Sequence, residues 1–181
     1  LFPIGWSELE GIANRGNFDL TQHAEHSKTK LEWVGHEERF VPHVIEPAAG
    51  ADRAALAFLV DAYHEEEVAE RPRTVLQFHP RLAPVKVAVL PLVGNDSALV
   101  EKARALYEKL RTTMSAEYDE SAAIGKRYRR QDEIGTPWCV TVDHDTLSDG
   151  AVTLRDRDTL EQVRVPIEGV RSLLLDRDRK S

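Results

Sequence analysis

Val85 to Val93 is an apolar, β-branched run interrupted only by Lys86. Leu99, Val100, Ala103, Leu106, Tyr107 and Leu110 follow at helical spacing. A strand apolar on both faces is covered on both faces, as a central parallel strand is. A helix directly after it is the crossover that parallel pairing needs. Together they restrict residues 83–181 to an α/β arrangement with a mixed sheet covered by helices. The rest of the half fits. Ala116 to Asp119, Trp138 to Asp143, Ala151 to Arg155 and Gln162 to Val165 read as strands, the last two as a hairpin. Residues 124–134 read as a basic helix and Ile167 to Leu175 as a closing one.

The first half is organised differently. Residues 1–30 are polar and loop-like after an opening strand. Leu31 to Val34 and Arg39 to Ile45 read as a hairpin around Gly35-His36-Glu37-Glu38. Pro47-Ala48-Ala49-Gly50 reads as a turn. Asp52 to about Val68 reads as a helix apolar on nearly every face, hence buried. Pro72, Pro80 and Pro84 among Arg71, Arg73 and Arg81 mark a joint. The expected domains are 1–82 and 83–181.

Bulk properties set outer bounds. The chain has 181 residues, 30% charged and 41% hydrophobic, as soluble globular proteins do. No apolar run approaches the ~20 residues that span a bilayer. Cys139 is the single cysteine, so no internal disulfide forms, and a reducing, cytoplasmic setting is expected. Residues 1–82 carry a net charge of −6 and residues 83–181 one of −1. A polyanionic partner would therefore meet a local basic patch, and the second half is the better place for one.

Two stretches carry chemistry. In Pro42-His43-Val44-Ile45-Glu46-Pro47-Ala48-Ala49-Gly50-Ala51-Asp52-Arg53, a strand runs through small residues into a helix. The helix start leaves free N–H groups, a ready anion site. Arg53 adds a planar cationic fork suited to phosphate. Glu46 follows an apolar run, and a carboxylate drawn from water seeks a cation. Phosphate and ammonium grips thus lie side by side. Lys126, Arg127, Arg129 and Arg130 surround Tyr128, which offers phosphate contacts and a ring for stacking single-stranded RNA. Such a run is also often just a solvated helix face. His23 and His26 with Glu25 have zinc-like spacing but lack further ligands, and no metal site is expected there.

Gly50-Ala51-Asp52-Arg53 with its apolar helix resembles motif 3 of the class II aminoacyl-tRNA synthetases. Glu46-Pro47-Ala48-Ala49-Gly50 resembles the glycine-binding segment of the glycyl-tRNA synthetase family. Gly5-Trp6-Ser7-Glu8-Leu9-Glu10-Gly11-Ile12-Ala13, His79-Pro80-Arg81-Leu82-Ala83-Pro84 and Gly125-Lys126-Arg127-Tyr128-Arg129-Arg130-Gln131-Asp132-Glu133-Ile134-Gly135-Thr136-Pro137 resemble the same family, in the same order.

The resemblance implies the last part of an antiparallel-sheet class II catalytic domain, followed by a mixed-sheet α/β anticodon-binding domain. It implies ATP-dependent activation of glycine and transfer to tRNA(Gly). Glu46, Pro47, Ala48, Ala49 and Gly50 would contact glycine. Glu8, Leu9, Gly50, Ala51, Asp52 and Arg53 would contact ATP and its Mg²⁺, with Arg53 the catalytic group. Lys126, Arg127, Arg129 and Arg130 would contact tRNA. Ala48 stands where the family usually has Ser, and Ser7 where it usually has Gly. Nothing resembles motif 1 or motif 2, and the chain opens on Leu1. A C-terminal portion of a homodimeric enzyme, inactive in isolation, is therefore expected. The alternatives are another class II synthetase, or a non-catalytic paralogue that binds nucleic acid in the manner of a polymerase accessory subunit. Glu46, Asp52 and Arg53 favour the enzyme.

Overall fold

The computed structural model describes residues 3–68 and 70–180. Its packing divides the chain into two compact units, Leu1–Val60 and Asp61–Ser181.

In the first unit, β1 (Glu10–Gly16) pairs antiparallel with β4 (Val44–Ala49), placing Ala13 opposite Glu46 and Glu10 opposite Ala49. Between them lie α1 (Phe18–Ser27) and the hairpin of β2 (Trp33–Val34) with β3 (Arg39–Phe40). The Trp33 and Phe40 rings lie 5.4 Å apart across that hairpin. The expected hairpin is present, but its second strand stops at Phe40 and a new one starts at Val44.

Four expectations fail here. Residues 10–27 are a strand and a helix, not a loop. Helix α1 buries none of its residues, so it shows no apolar stripe; Asp19 in its first turn instead suits the helix dipole. The supposed turn at Pro47 to Gly50 is strand through Ala49, and the chain enters α2 (Ala51–Ala62) at once. That helix does not reach Val68. Tyr63–Val68 forms β5, paired antiparallel with β6 (Arg71–Leu76), and Glu66 faces Arg73 across the pair. A cross-strand charge pair accommodates an acidic run that would repel itself along a helix. Nor is α2 buried all round: Phe58, Leu59 and Val60 are 50%, 45% and 40% exposed.

The second unit holds a five-stranded mixed sheet. β7 (Val87–Pro91) runs parallel to β8 (Ala116–Tyr118) on one side and to β9 (Trp138–Val142) on the other. β10 (Ala151–Asp156) and β11 (Gln162–Pro166) continue antiparallel, giving the order β11-β10-β9-β7-β8. Helices α3 (Ser97–Leu110) and α4 (Ile124–Ile134) are the crossovers, and α6 (Ile167–Lys180) closes the unit. A short α5 (His144–Asp149), not foreseen, begins with a capping box between Asp143 and Thr146. Strand alternation divides the core. Val87 and Val89 pack with Leu99, Leu106, Val140, Val142 and Leu174 in the larger cluster. Ala88, Leu90 and Cys139 point the other way, against Ile124 and Tyr128 of α4.

Two glycines are required. Gly135 ends α4 at φ +81°, and a Cβ there would stand 2.6 Å from the Phe78 ring. A Cβ on Gly94 would stand 2.2 Å from the Glu120 carbonyl oxygen.

The packing division falls at Val60, earlier than the expected joint at residue 82. Residues 61–82 join the second unit because buried arginines tie them there. Arg73 donates from Nε to Asp132 Oδ2 at 2.9 Å and from Nη2 to the Arg157 carbonyl at 2.6 Å. Arg157 donates to the carbonyls of Phe78 at 2.7 Å and Gly135 at 2.8 Å. These bonds lie far apart in sequence and leave no local pattern.

Candidate functional site

The β4–α2 connection carries the first candidate site. Ala54 N–H closes the first helical bond onto the Gly50 carbonyl at 2.9 Å. The N–H groups of Ala51, Asp52 and Arg53 therefore precede any partner within the helix. The Arg53 guanidinium is exposed and donates from Nη1 to Ser7 Oγ at 2.8 Å and to the Glu8 carbonyl. Tertiary structure thus joins Arg53 to the Ser7-Glu8-Leu9 segment, whose contact with the same ligand had been expected. Glu8 precedes β1, so it does not share a strand face with Glu10. Its carboxylate lies over Gly11: a Cβ built there would be 3.5 Å from Glu8 Oε1.

Glu46 is also exposed, with 47% of its side chain accessible. Its Oε2 lies 3.2 Å from Arg15 Nη1. Arg15 occupies an irregularity in the β1–β4 register between Asn14 and Gly16, and Asp19 holds it from the first turn of α1. Arg15's hydrogen bonds to Asp19, then that carboxylate's charge and that of Glu46, raise its pKa above the ordinary value. The same Arg15 hydrogen bond leads the effects that lower Asp19. Sequence reasoning missed Arg15. The sequence carried no local signal for it, because only the pairing of β1 with β4, Ala13 opposite Glu46, brings Arg15 within reach.

Among the described residues, no group of three or more His, Cys, Asp or Glu side chains could hold a metal ion. His23 and His26 lie on α1. Mg²⁺ that accompanies a nucleotide needs only one or two protein carboxylates beside the phosphates. Exposed Glu8 and Glu10 fit that modest requirement.

The second candidate is α4, whose basic residues separate by face. Lys126 and Arg129 are exposed. Arg130 binds Asp119 through Nε at 3.0 Å and through Nη2, and donates to the Ser121 carbonyl at 2.9 Å. Burial alone would lift the pKa of Asp119, but hydrogen bonds from Arg130 and Ser121 outweigh it and hold the carboxyl below its usual range. Arg127 corrects the expectation that all four cations meet RNA. It is 1% exposed and donates to the carbonyls of Pro91, Leu92 and Asp119, at the C-terminal ends of β7 and β8. Burial lowers its pKa from the ordinary arginine value, and nearby Asp119 offsets this only in part. A guanidinium in that position is a structural plug and is closed to phosphate.

On the same flank, Asp132 is buried and accepts from Arg73 and bidentately from Arg155. Burial works against the charge of each arginine. Hydrogen bonds to Asp132, joined for Arg73 by one to Glu66, outweigh it and raise both pKa values. Arg155 also lies over the Tyr128 ring, 4.8 Å from its centre, and the Tyr128 hydroxyl lies 2.5 Å from Thr141 Oγ1. Tyr128 is thereby built into the core flank rather than left free for stacking.

The second unit is thus a mixed five-stranded sheet with two crossover helices, one of which, α4, is rich in arginine. Residues 86–177 match the family described as the anticodon-binding domain, and the chain belongs to that family. Over nearly its full length it is similar to glycine–tRNA ligases. It is 58% identical to that of Ruminiclostridium cellulolyticum over 171 residues, 93% of this chain and 36% of the relative. It is 55% identical to that of Clostridium perfringens over 181 residues, 96% of this chain and 38% of the relative. It is 57% identical to that of Acetivibrio thermocellus, over 93% of this chain and 36% of the relative. The expected kinship with glycyl-tRNA synthetases is borne out, and so is the mixed-sheet α/β fold. The chain spans little more than a third of the length of these relatives.

Proposed function

We propose that this chain is the motif 3 and anticodon-binding portion of a glycine–tRNA ligase that activates glycine with ATP and transfers it to tRNA(Gly). The observation that carries the reading is the attachment of Arg53 to Ser7 and Glu8 in a chain so similar to glycine–tRNA ligases. It gathers, around one guanidinium, segments that resemble the ATP site of class II synthetases.

Activation needs no protein nucleophile. The glycine carboxylate attacks the α-phosphate and pyrophosphate leaves; the protein contributes position and charge neutralisation. In this reading, Arg53 and the N–H groups at the start of α2 neutralise phosphate, with Ala51 and Asp52 opening the helix. Arg15 lies against Oε2 of Glu46, and the Glu46 carboxylate takes the glycine ammonium. Pro47, Ala48, Ala49 and Gly50 form the small-residue wall that leaves no room for a Cβ substituent. Glu8 or Glu10 would hold the Mg²⁺ that comes with ATP, which would supply charge neutralisation at the phosphates. Lys126 and Arg129 serve tRNA. The working enzyme is a cytoplasmic homodimer, and this chain alone is inactive.

The test is glycine-dependent ATP–pyrophosphate exchange by the full-length ligase, wild type against Arg53→Ala and Glu46→Gln. Loss of exchange in the first and a raised KM for glycine in the second support the reading. Unchanged kinetics in both would refute the site.

A further inference from the structure

A shallow pocket of about 160 Å³ lies where β6 meets α4, lined by Arg71, Arg73, Tyr128, Arg129, Asp132 and Arg155 among others. Its charges do not balance. Asp132 is shared by Arg73 and Arg155, and Arg73 also holds Glu66. Four guanidiniums line the pocket against one lining carboxylate, Asp132, while Glu66 reaches Arg73 from an adjoining hollow that also holds Glu65, Glu67 and Glu70. The excess resides on Arg71 and Arg129. Both are exposed, and neither makes an ion pair or side-chain hydrogen bond among the described residues. Each comes from a different element, Arg71 from β6 and Arg129 from α4.

We infer that Arg71 and Arg129 form a two-sided clamp for one backbone phosphate of single-stranded tRNA, seated in this pocket. The inference rests on the tRNA-binding reading above and adds a site to it. Arginine on either side of a concave opening suits a phosphate, whose oxygens accept planar forks from two directions. The opening admits a single phosphate group and excludes the broad face of an acidic protein. The floor cannot neutralise the clamp, because Asp132 is already committed to Arg73 and Arg155. The clamp cations are held apart by secondary structure, so an anion meets them in place rather than gathering them from solution. The basic run read from sequence contained Arg129 but not Arg71, which lies on a different element.

The experiment measures binding of a fluorescent tRNA(Gly) transcript to the 181-residue chain across a salt series. Wild type is compared with Arg71→Ala, Arg71→Lys, Arg129→Ala, the double alanine variant, and Arg111→Ala just past α3 as a control. Near-ultraviolet circular dichroism checks each fold. Each clamp variant should weaken binding roughly five- to tenfold at about 50 mM salt and reduce the log–log salt slope by about 0.7. The double variant should lose little more slope than either single variant, because both arginines hold the same phosphate; Arg111→Ala should match wild type, and Arg71→Lys should restore part of the slope. Wild-type binding with an unaltered double variant would overturn the clamp while leaving the tRNA reading intact. A wild-type chain that binds no tRNA would overturn both.

Discussion

Arg155 grips Asp132 with both ends of its guanidinium, Nη1 to Oδ1 at 2.8 Å and Nη2 to Oδ2 at 3.0 Å, and both side chains are buried. Arg73 reaches the same carboxylate from β6. One aspartate therefore joins α4, β10 and the β5–β6 hairpin.

Asp132→Ala should destabilise the second unit by about 3–5 kcal/mol, because buried Arg155 loses its counter-charge and buried Arg73 is left with Glu66 alone. Urea denaturation followed by far-ultraviolet circular dichroism measures this. A loss under about 1 kcal/mol would show that the network does not hold the hairpin to the sheet unit.

Arg127→Met should also destabilise, by about 3 kcal/mol, since three carbonyls lose their donor and buried unsatisfied acceptors cost ~1–3 kcal/mol each. Its salt slope for tRNA binding should equal that of wild type. A reduced slope in a folded variant would return Arg127 to the RNA surface.

Acid should weaken the second unit through Asp119 and Asp143. Burial opposes the ionised form of both. Yet hydrogen bonds from Arg130 and Ser121 to Asp119, and from Thr146 to Asp143, lower both folded pKa values. A depressed carboxyl stabilises the fold above its unfolded pKa of about 3.9, and that contribution disappears as pH falls through the folded value. Stability should therefore be level near neutrality and fall below about pH 4. The fall should be shallower in Asp119→Asn. An identical acid limb in that variant would remove Asp119 from the account.

The Cys139 thiol is 1% exposed, and burial pushes its pKa up to about 12. Thiolate is the reactive form. Native chain should react with a thiol-specific disulfide reagent only at the rate of unfolding, and urea should accelerate the reaction to that of a free thiol. Rapid stoichiometric labelling of native protein would contradict the packing of β9 against α4.

In the full-length ligase, Arg53→Ala should lose roughly 3–4 kcal/mol of transition-state stabilisation in glycine activation, the worth of one charge-stabilising donor. The readout is kcat/KM for pyrophosphate exchange. The fold should be unaffected, because Arg53 is exposed and bonds only to Ser7 and Glu8 among the described residues.

By itself the sequence determined the sheet unit and its kinship. Val87–Pro91, Ser97–Leu110, Ile124–Ile134 and the β10–β11 hairpin lie close to where their periodicity predicted. Burial there imposes a local repeat: both faces apolar in a central strand, one stripe in a covering helix. The β4–α2 passage was legible only in part: a strand leading into a helix near Arg53 was expected, but the turn at Pro47 to Gly50 is strand through Ala49. Tertiary structure decided the rest. The run Lys126-Arg127-Tyr128-Arg129-Arg130 reads as one basic patch, but helical rotation sends Arg127 into the interior, Arg130 to Asp119 and only Lys126 and Arg129 outward. Tyr63–Val68 reads as the end of a helix, yet becomes a strand because Arg73 stands across from Glu66 and is anchored to Asp132. Arg15 meets Glu46, and Arg53 meets Glu8, only once distant strands and turns are in register. A charge finds its partner through space, and residue order records that partner only when the backbone between them is a regular local repeat.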